Sequence, residues 1–443
     1  MKYQVLNHTT LINYLRQLPQ WKALGESATL TIKEVSDGNL NQVFVAGCNE
    51  VLPIVIQTDH VAQTAQTIHI DSVIIKQALP YIRCLGTDYP LSERRMDYEI
   101  YALQDLSACA PRYFPEIYHA DYNLSVVILQ HLTEHTLLRD GLISGVYYPQ
   151  LAEQLANMLA HTLFYTSSFA LEYDAKQLLQ QRYLHSPMCA LSQAFIFNHA
   201  FMNHETNHFM PEIAEAVKAI QRDAMIKRAV LQLKYQFSTQ AQALLHGDLH
   251  TGSLMVNLQE IRVIDLEFAC VGPMGFDLGL LLAHLIIAWA AHFERFTKNE
   301  AESYRHYLLT MIMTLLQQFN TRFLDLWQQR ISQTKIPLDM TFAQYQGFQL
   351  QFLQYVLQDA IGFAGCEMMR RVIGAAGVKD TESISDRTAR ARVECLLLNI
   401  ARDFLYHYHV MPSISDVIKI LNQHAQQYFQ QHRLMFVPTV AAT

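Results

Sequence analysis

The chain has 443 residues, 51% of them hydrophobic and 16% charged, which excludes a disordered or fibrous protein. Lys and Arg number 33 against 40 Asp and Glu, giving a formal net charge of −7 and a pI near 6.3. That balance argues against nucleic acid or an anionic membrane surface as a main partner. The cysteines (Cys48, Cys84, Cys109, Cys189, Cys270, Cys366 and Cys395) number seven and are never spaced Cys-x-x-Cys. They read as reduced thiols of a cytoplasmic protein, with no disulfide framework and no zinc ribbon. The first residues, Met1 to Asn7, lack the apolar core of a signal peptide.

In chain order, Leu30–Val35 and Gln42–Ala46 flank Ser36-Asp37-Gly38-Asn39-Leu40-Asn41. Two runs with β-branched residues around an Asp-Gly turn predict a hairpin. Val73-Ile74-Ile75-Lys76 predicts a short strand ending in lysine, Glu93–Leu103 a helix, and Ser125–Leu129 a further strand. The stretch from Ala46 to Ser72 is long and has no assigned role. Beyond about residue 134 the pattern turns helical. Leu151, Leu155, Met158, Leu159 and Leu163 recur at helical spacing. One β interlude breaks the helices, at Leu244-Leu245, Leu254–Leu258 and Ile261–Ile264. Leu280–Ala291 is strongly apolar, apart from His284, yet shorter than the ~20 residues that span a bilayer. It reads as a buried helix. The expected class is therefore α+β: a small β-rich lobe over residues 1–133 and a large, mainly helical lobe over 134–443.

The chemistry concentrates in His246-Gly247-Asp248-Leu249-His250-Thr251-Gly252-Ser253 and, one hairpin later, Val263-Ile264-Asp265-Leu266-Glu267. Either acid alone reads as well as a turn aspartate or a strand-end cap. Two acidic positions at strand ends, separated by a hairpin, suit phosphoryl transfer. One carboxylate orients the attacking hydroxyl and takes its proton, and the other holds the Mg²⁺ that bridges phosphate oxygens. Lys76 supplies the third part, a strand lysine for nucleotide phosphates, with Glu99 on the next helix as its partner. The turn at Asp37–Asn41 would cover the phosphates. Its single glycine is weak for that purpose, and the Asn39 and Asn41 side chains are the donors in place of bare backbone amides.

These segments, together with Gly272-Pro273-Met274-Gly275-Phe276-Asp277, Lys76-Gln77-Ala78-Leu79-Pro80-Tyr81 and Gly362-Phe363-Ala364-Gly365-Cys366 with Arg370-Arg371, resemble the 5-methylthioribose kinases. The resemblance covers most of the chain, in order. It implies a two-lobed protein-kinase-like fold and ATP and Mg²⁺ as cofactors. It also implies transfer to the 1-hydroxyl of 5-methylthioribose in methionine salvage, by a homodimer. Residue by residue it implies Asp248 as base at the sugar hydroxyl, and Asp265 and Glu267 at metal and nucleotide. Asn39 and Lys76 follow as nucleotide contacts, Gln130-His131-Leu132 as the adenine-binding hinge, and Arg370 and Arg371 as the pair facing the sugar. Three positions depart from expectation: Ser253 where protein kinases carry a metal-binding Asn, Leu266 where Pro is expected, and Gln130 where an acid is usual.

Two rival readings come from the same residues. His204-Glu205-Thr206-Asn207-His208 matches the zinc-protease pattern, which needs a helix to bring both histidines to one face. A kinase for an aminoglycoside or choline would need an acidic pocket for a cationic acceptor, and adjacent Arg370 and Arg371 oppose that.

Overall fold

The computed structural model describes residues 3–22, 29–35, 40–57, 65–83, 86–184, 186–296, 298–333, 336–411 and 413–432. The chain divides into two compact units. The first comprises Met1–His135, His185–Met188 and Arg262–Ala269; the second comprises Thr136–Leu184, Cys189–Ile261 and Cys270–Thr443.

The first unit is built on an antiparallel sheet in the order β1-β2-β3-β5-β4. Its strands are β1 (Leu30–Val35), β2 (Asn41–Gln57), β3 (Ala65–Ala78), β4 (Ile117–Asp121) and β5 (Val126–Gln130). The predicted hairpin is present, with Val35 opposite Val43 and Leu30 opposite Cys48. Its turn, including Asp37, Gly38 and Asn39, lies outside the described residues. The Ala46–Ser72 stretch resolves into the long arms of β2 and β3, whose pairing runs out to Gln57 opposite Ala65 with a register shift between Gly47 and Leu52. The His8–Leu15 helix, begun by an Asn7–Thr10 capping box, lays Leu11 and Leu15 on one face of the sheet. There they join Phe44, Val73, Ile75, Val126 and Ile128 in one buried cluster. The predicted helix over Glu93–Leu103 forms as Arg95–Cys109. Strand β4 was not foreseen, because Ile117-Tyr-His-Ala-Asp has no continuous apolar run and every residue of it is only half-buried.

The second unit is mainly helical, as its periodicity predicts. Leu151–Tyr165 forms a helix, and Gly275–Ala291 forms one in which every residue is buried. The β interlude appears as β7 (Ala243–Leu245) and β8 (Leu254–Val256), with β9 (Ile261–Val263) where the chain leaves this unit. Strand β7 pairs antiparallel with β10 (Cys270–Gly272), and β8 with β6 (Thr136–Leu137). The Gly275–Ala291 helix packs closely on the long Phe342–Ile373 helix. A Cβ at Gly275 would stand 2.6 Å from Cβ of Asp359, and one at Gly279 2.6 Å from the Ala360 carbonyl oxygen. Only glycine permits that approach. Among the described residues no helix is long and apolar enough to cross a membrane.

This close packing buries Asp359, to whose Oδ1 Gln236 donates its Nε2–H at 3.2 Å. Burial raises its carboxyl pKa to about 7, with the Gln236 hydrogen bond opposing. The unfolded chain gives up this proton near pH 4, whereas the folded chain keeps it until about 7, so this group costs stability progressively as pH rises between those values. Asp359→Asn is therefore expected to stabilise the protein at pH 8 by a few kcal/mol at most, on the order of the linkage integral, and by much less at pH 5. Denaturant unfolding at both pH values checks this. An equal effect at pH 5 and pH 8 refutes it.

Candidate active site

In the first unit, Lys76 near the end of β3 is buried, and its Nζ donates to Glu99 Oε1 at 2.7 Å and to Asp265 Oδ1 at 2.6 Å. The predicted Lys76–Glu99 pair thus forms, and the predicted metal aspartate joins it. Burial pushes the Lys76 ammonium toward its neutral form, but the carboxylates of Asp265, Glu99 and Glu267 more than reverse this and keep it charged. Asp265 follows β9 with φ 64 and ψ 54, the left-handed region. For a residue with a side chain that conformation costs roughly 1–2 kcal/mol, a type of strain that clusters at functional sites.

Arg95, at the first turn of the Arg95–Cys109 helix, is fully buried and was not singled out from the sequence. Its Nε donates to Glu267 Oε2 at 3.0 Å and to Asn41 Oδ1 at 3.1 Å. Its other nitrogens reach the carbonyls of Leu79, Ser92 and Leu40. Asn41 in turn donates Nδ2–H to Glu267 Oε2 at 2.9 Å. Both ends of the Asn41 amide are therefore engaged inside the protein. Asn41 thus supports Glu267 and Arg95 here.

The cluster sets three carboxylates (Glu99, Asp265, Glu267) against two cations (Lys76, Arg95). Burial, the largest cause, and the two neighbouring carboxylates together raise the Glu99 pKa to about 7. Of the three acids Asp265 reaches solvent, its side chain 49% exposed against 1% for Glu99 and 7% for Glu267. An excess negative charge ending in one accessible carboxylate fits a divalent cation. Among the described residues no three His, Cys, Asp or Glu side chains are grouped as a closed metal cage. Mg²⁺ needs none, since it takes one or two carboxylates, waters and substrate phosphates. The predicted hinge residues lie at the end of β5. The Gln130 N–H donates to the Glu116 carbonyl at 2.9 Å, His131 Nδ1 meets Ser72 Oγ at 2.7 Å, and Leu132 is buried.

In the second unit, the loop after β7 carries Asp248. The Gly247 backbone is left-handed, with φ 83. The His246 and Gly247 N–H groups donate to Asp277 Oδ2 and Oδ1 at 2.6 and 3.0 Å, so the first turn of the buried Gly275–Ala291 helix fixes the loop. Ser253 spends its hydroxyl on the same loop, donating to the His250 carbonyl at 2.8 Å and accepting the His250 N–H at 2.9 Å.

Asp248 Oδ1 faces both predicted arginines: Arg370 Nη2 donates to it at 3.2 Å and Arg371 Nη2 stands 3.6 Å away. His250 Nε2 lies 3.4 Å from Oδ2, and its Nδ1 accepts the Gly252 N–H at 2.9 Å, so the ring proton sits on Nε2. Burial pushes the Asp248 carboxyl pKa up, but His250, Arg370 and Arg371 together pull it well below the usual carboxylate range. The sequence reading missed Glu367, which holds both arginines, and His284, which holds Glu367. The signal for Glu367 was present: it stands three and four residues before Arg370 and Arg371, on one helix face.

The zinc-protease pattern has no such support. His204 and His208 lie in irregular chain, with Glu205 and Thr206 in a turn, so no helix brings the two rings to one face. His204 instead stacks on His199 at 3.7 Å between ring centroids, and its Nδ1 accepts the Thr206 N–H.

A strand lysine paired with a helix glutamate and a strand-end aspartate, together with an ionised loop aspartate, is the equipment of phosphoryl transfer. The chain belongs to the phosphotransferase enzyme family, whose sequence model matches residues 31–309, well over half its length. Within that class it groups with the methylthioribose kinases. It is 35% identical over 416 residues to methylthioribose kinase of Yersinia pseudotuberculosis serotype IB (strain PB1/+), covering 94% of this chain and 95% of that one. It is 36% identical over 431 residues to methylthioribose kinase 1 of Oryza sativa subsp. japonica, covering 94% of each. The fold is α+β and protein-kinase-like, as the sequence led us to expect.

Proposed function

We propose that this chain is an ATP-dependent kinase that phosphorylates the 1-hydroxyl of 5-methylthioribose, yielding the 1-phosphate and ADP in methionine salvage. The observation that carries the reading is the acceptor cluster, an ionised carboxylate faced by two forked guanidiniums, in a chain whose relatives are named for this sugar.

Lys76, locked by Glu99, presents its ammonium to the nucleotide phosphates. Backbone groups of Gln130, His131 and Leu132 meet adenine, and Asn39 and Asn41 are assigned to the nucleotide from the sequence. Asp265 would hold Mg²⁺, with Glu267 adding charge behind it. The cation, when bound, neutralises charge on the phosphates. Asp248 accepts the hydrogen bond of the attacking hydroxyl and so aims its oxygen. With a depressed pKa it is a weak base, which suits a loose transition state in which the hydroxyl loses its proton late. Arg370 and Arg371 offer planar forks of donors to sugar hydroxyls, and their charge favours a neutral acceptor over a cationic one. Each guanidinium edge that turns to the sugar is withdrawn from Asp248 and strengthens it as a base. From the same resemblance we propose a cytoplasmic homodimer.

The test is to incubate the protein with Mg-ATP and methylthioribose, ribose, choline or an aminoglycoside, and to measure ADP. Methylthioribose should be turned over fastest. Ribose should be a poor substrate, since an apolar methylthio group is worth roughly 1–3 kcal/mol in a fitted slot. Faster turnover of choline or the aminoglycoside would overturn the reading.

A further inference from the structure

The Phe342–Ile373 helix presents Glu367, Arg370 and Arg371 on one face near its C-terminal end. Glu367 is fully buried and its carboxylate takes four donated hydrogen bonds. Arg370 binds it through one edge of its guanidinium, Nε to Oε2 at 2.8 Å and Nη2 to Oε1 at 2.9 Å. Arg371 Nε reaches Oε1 at 2.6 Å, and His284 Nε2 reaches Oε1 at 3.1 Å. The same Arg370 Nη2, and the Nη2 of Arg371, are the atoms that face Asp248. Each guanidinium is therefore clamped by Glu367 on one side and turned toward Asp248 on the other.

Two adjacent guanidiniums repel. A shared carboxylate offsets the repulsion, and without one both cations would crowd onto Asp248. His284 is the second observation. It sits, fully buried, in a helix otherwise made of Gly, Ala, Leu, Ile, Phe, Trp and one Asp, and its Nδ1 has no hydrogen-bond partner among the described residues. An orphaned buried acceptor is destabilising, so stability alone favours leucine there. Burial keeps the ring neutral, and its one N–H goes to Glu367. The His284 ring also packs on His250, the neighbour of Asp248, with centroids 5.1 Å apart.

We propose that Glu367, oriented by the His284 N–H, is the positioning residue that aims Arg370 and Arg371 at the sugar and keeps them from closing permanently on Asp248. This rests on the kinase reading above.

The experiment compares wild type, Glu367→Gln, His284→Leu and His284→Gln, varying ATP and methylthioribose separately. Glu367→Gln should raise the methylthioribose KM at least about tenfold, the scale of a misplaced binding group, and leave the ATP KM within about twofold. His284→Leu should move the same constant in the same direction by about three- to tenfold. In His284→Gln the amide N–H replaces Nε2–H, so its KM should return to near the wild-type value. An unchanged sugar KM in Glu367→Gln overturns the proposal. So does a fall in kcat with both KM values unchanged, the mark of a smaller active fraction, and so do equal sugar KM values for the two His284 variants. If Glu367→Gln fails to fold, the His284 pair decides by the same readout. If wild type ignores methylthioribose, the kinase reading for that sugar fails separately, and the four proteins are compared on the acceptor it does use.

Discussion

Asp248→Asn should lower turnover by about 10² to 10⁴, the usual worth of a positioned acid–base group, while nucleotide binding stays nearly intact. Asparagine keeps the shape of the side chain but turns one acceptor into a donor, so the incoming hydroxyl loses the oxygen that aims it. The arginines keep Glu367 as their anchor in this variant, so a folding defect is not expected. Lys76, Glu99 and Asp265 belong to the other unit, so ADP affinity, measured by calorimetry, should match wild type. Turnover within a few-fold of wild type removes Asp248 from the role.

Asp265→Ala should reduce Mg²⁺-dependent ATP turnover by about 10³-fold or more, equivalent to the several kcal/mol that a catalytic cation supplies. Its stability should hold, because Lys76 retains Glu99 and the lost carboxylate was half-exposed. Glu267→Ala should be inactive for a different reason. It strips the buried Arg95 of its carboxylate partner, and breaking such a pair costs roughly 3–5 kcal/mol. Thermal melting of both variants beside the activity assay separates the cases. Full activity of Asp265→Ala at saturating Mg²⁺ rules out its metal role, and an undiminished melting temperature for Glu267→Ala refutes the structural one.

The candidate residues legible in sequence were those with local punctuation. Lys76 closes a β-branched run, Glu99 lies on the next amphipathic segment, and Asp248 and Asp265 end short apolar strands. Arg95 was not legible, since Glu93-Arg94-Arg95 reads as a solvated helix start. Its burial depends on Glu267, 172 positions later in the chain, and no local pattern carries such a pairing. The Asn41–Glu267 hydrogen bond was not legible for the same reason, since its acceptor lies far along the chain. Glu367 is the opposite case, because its spacing to the arginine pair is local and sufficient. Of the strands that escaped, β4 has only half-buried residues, so the hydrophobic alternation that betrays a strand is missing.

The hold of Asp277 on the His246 and Gly247 amides ties the acceptor loop to a helix without a single exposed residue. Such a helix opens only when the unit as a whole unfolds, and a backbone hydrogen-bonded to its first turn opens with it. Amide exchange at His246 and Gly247 is therefore expected to be among the slowest in that unit, in step with the buried helix and not with the fraying loops.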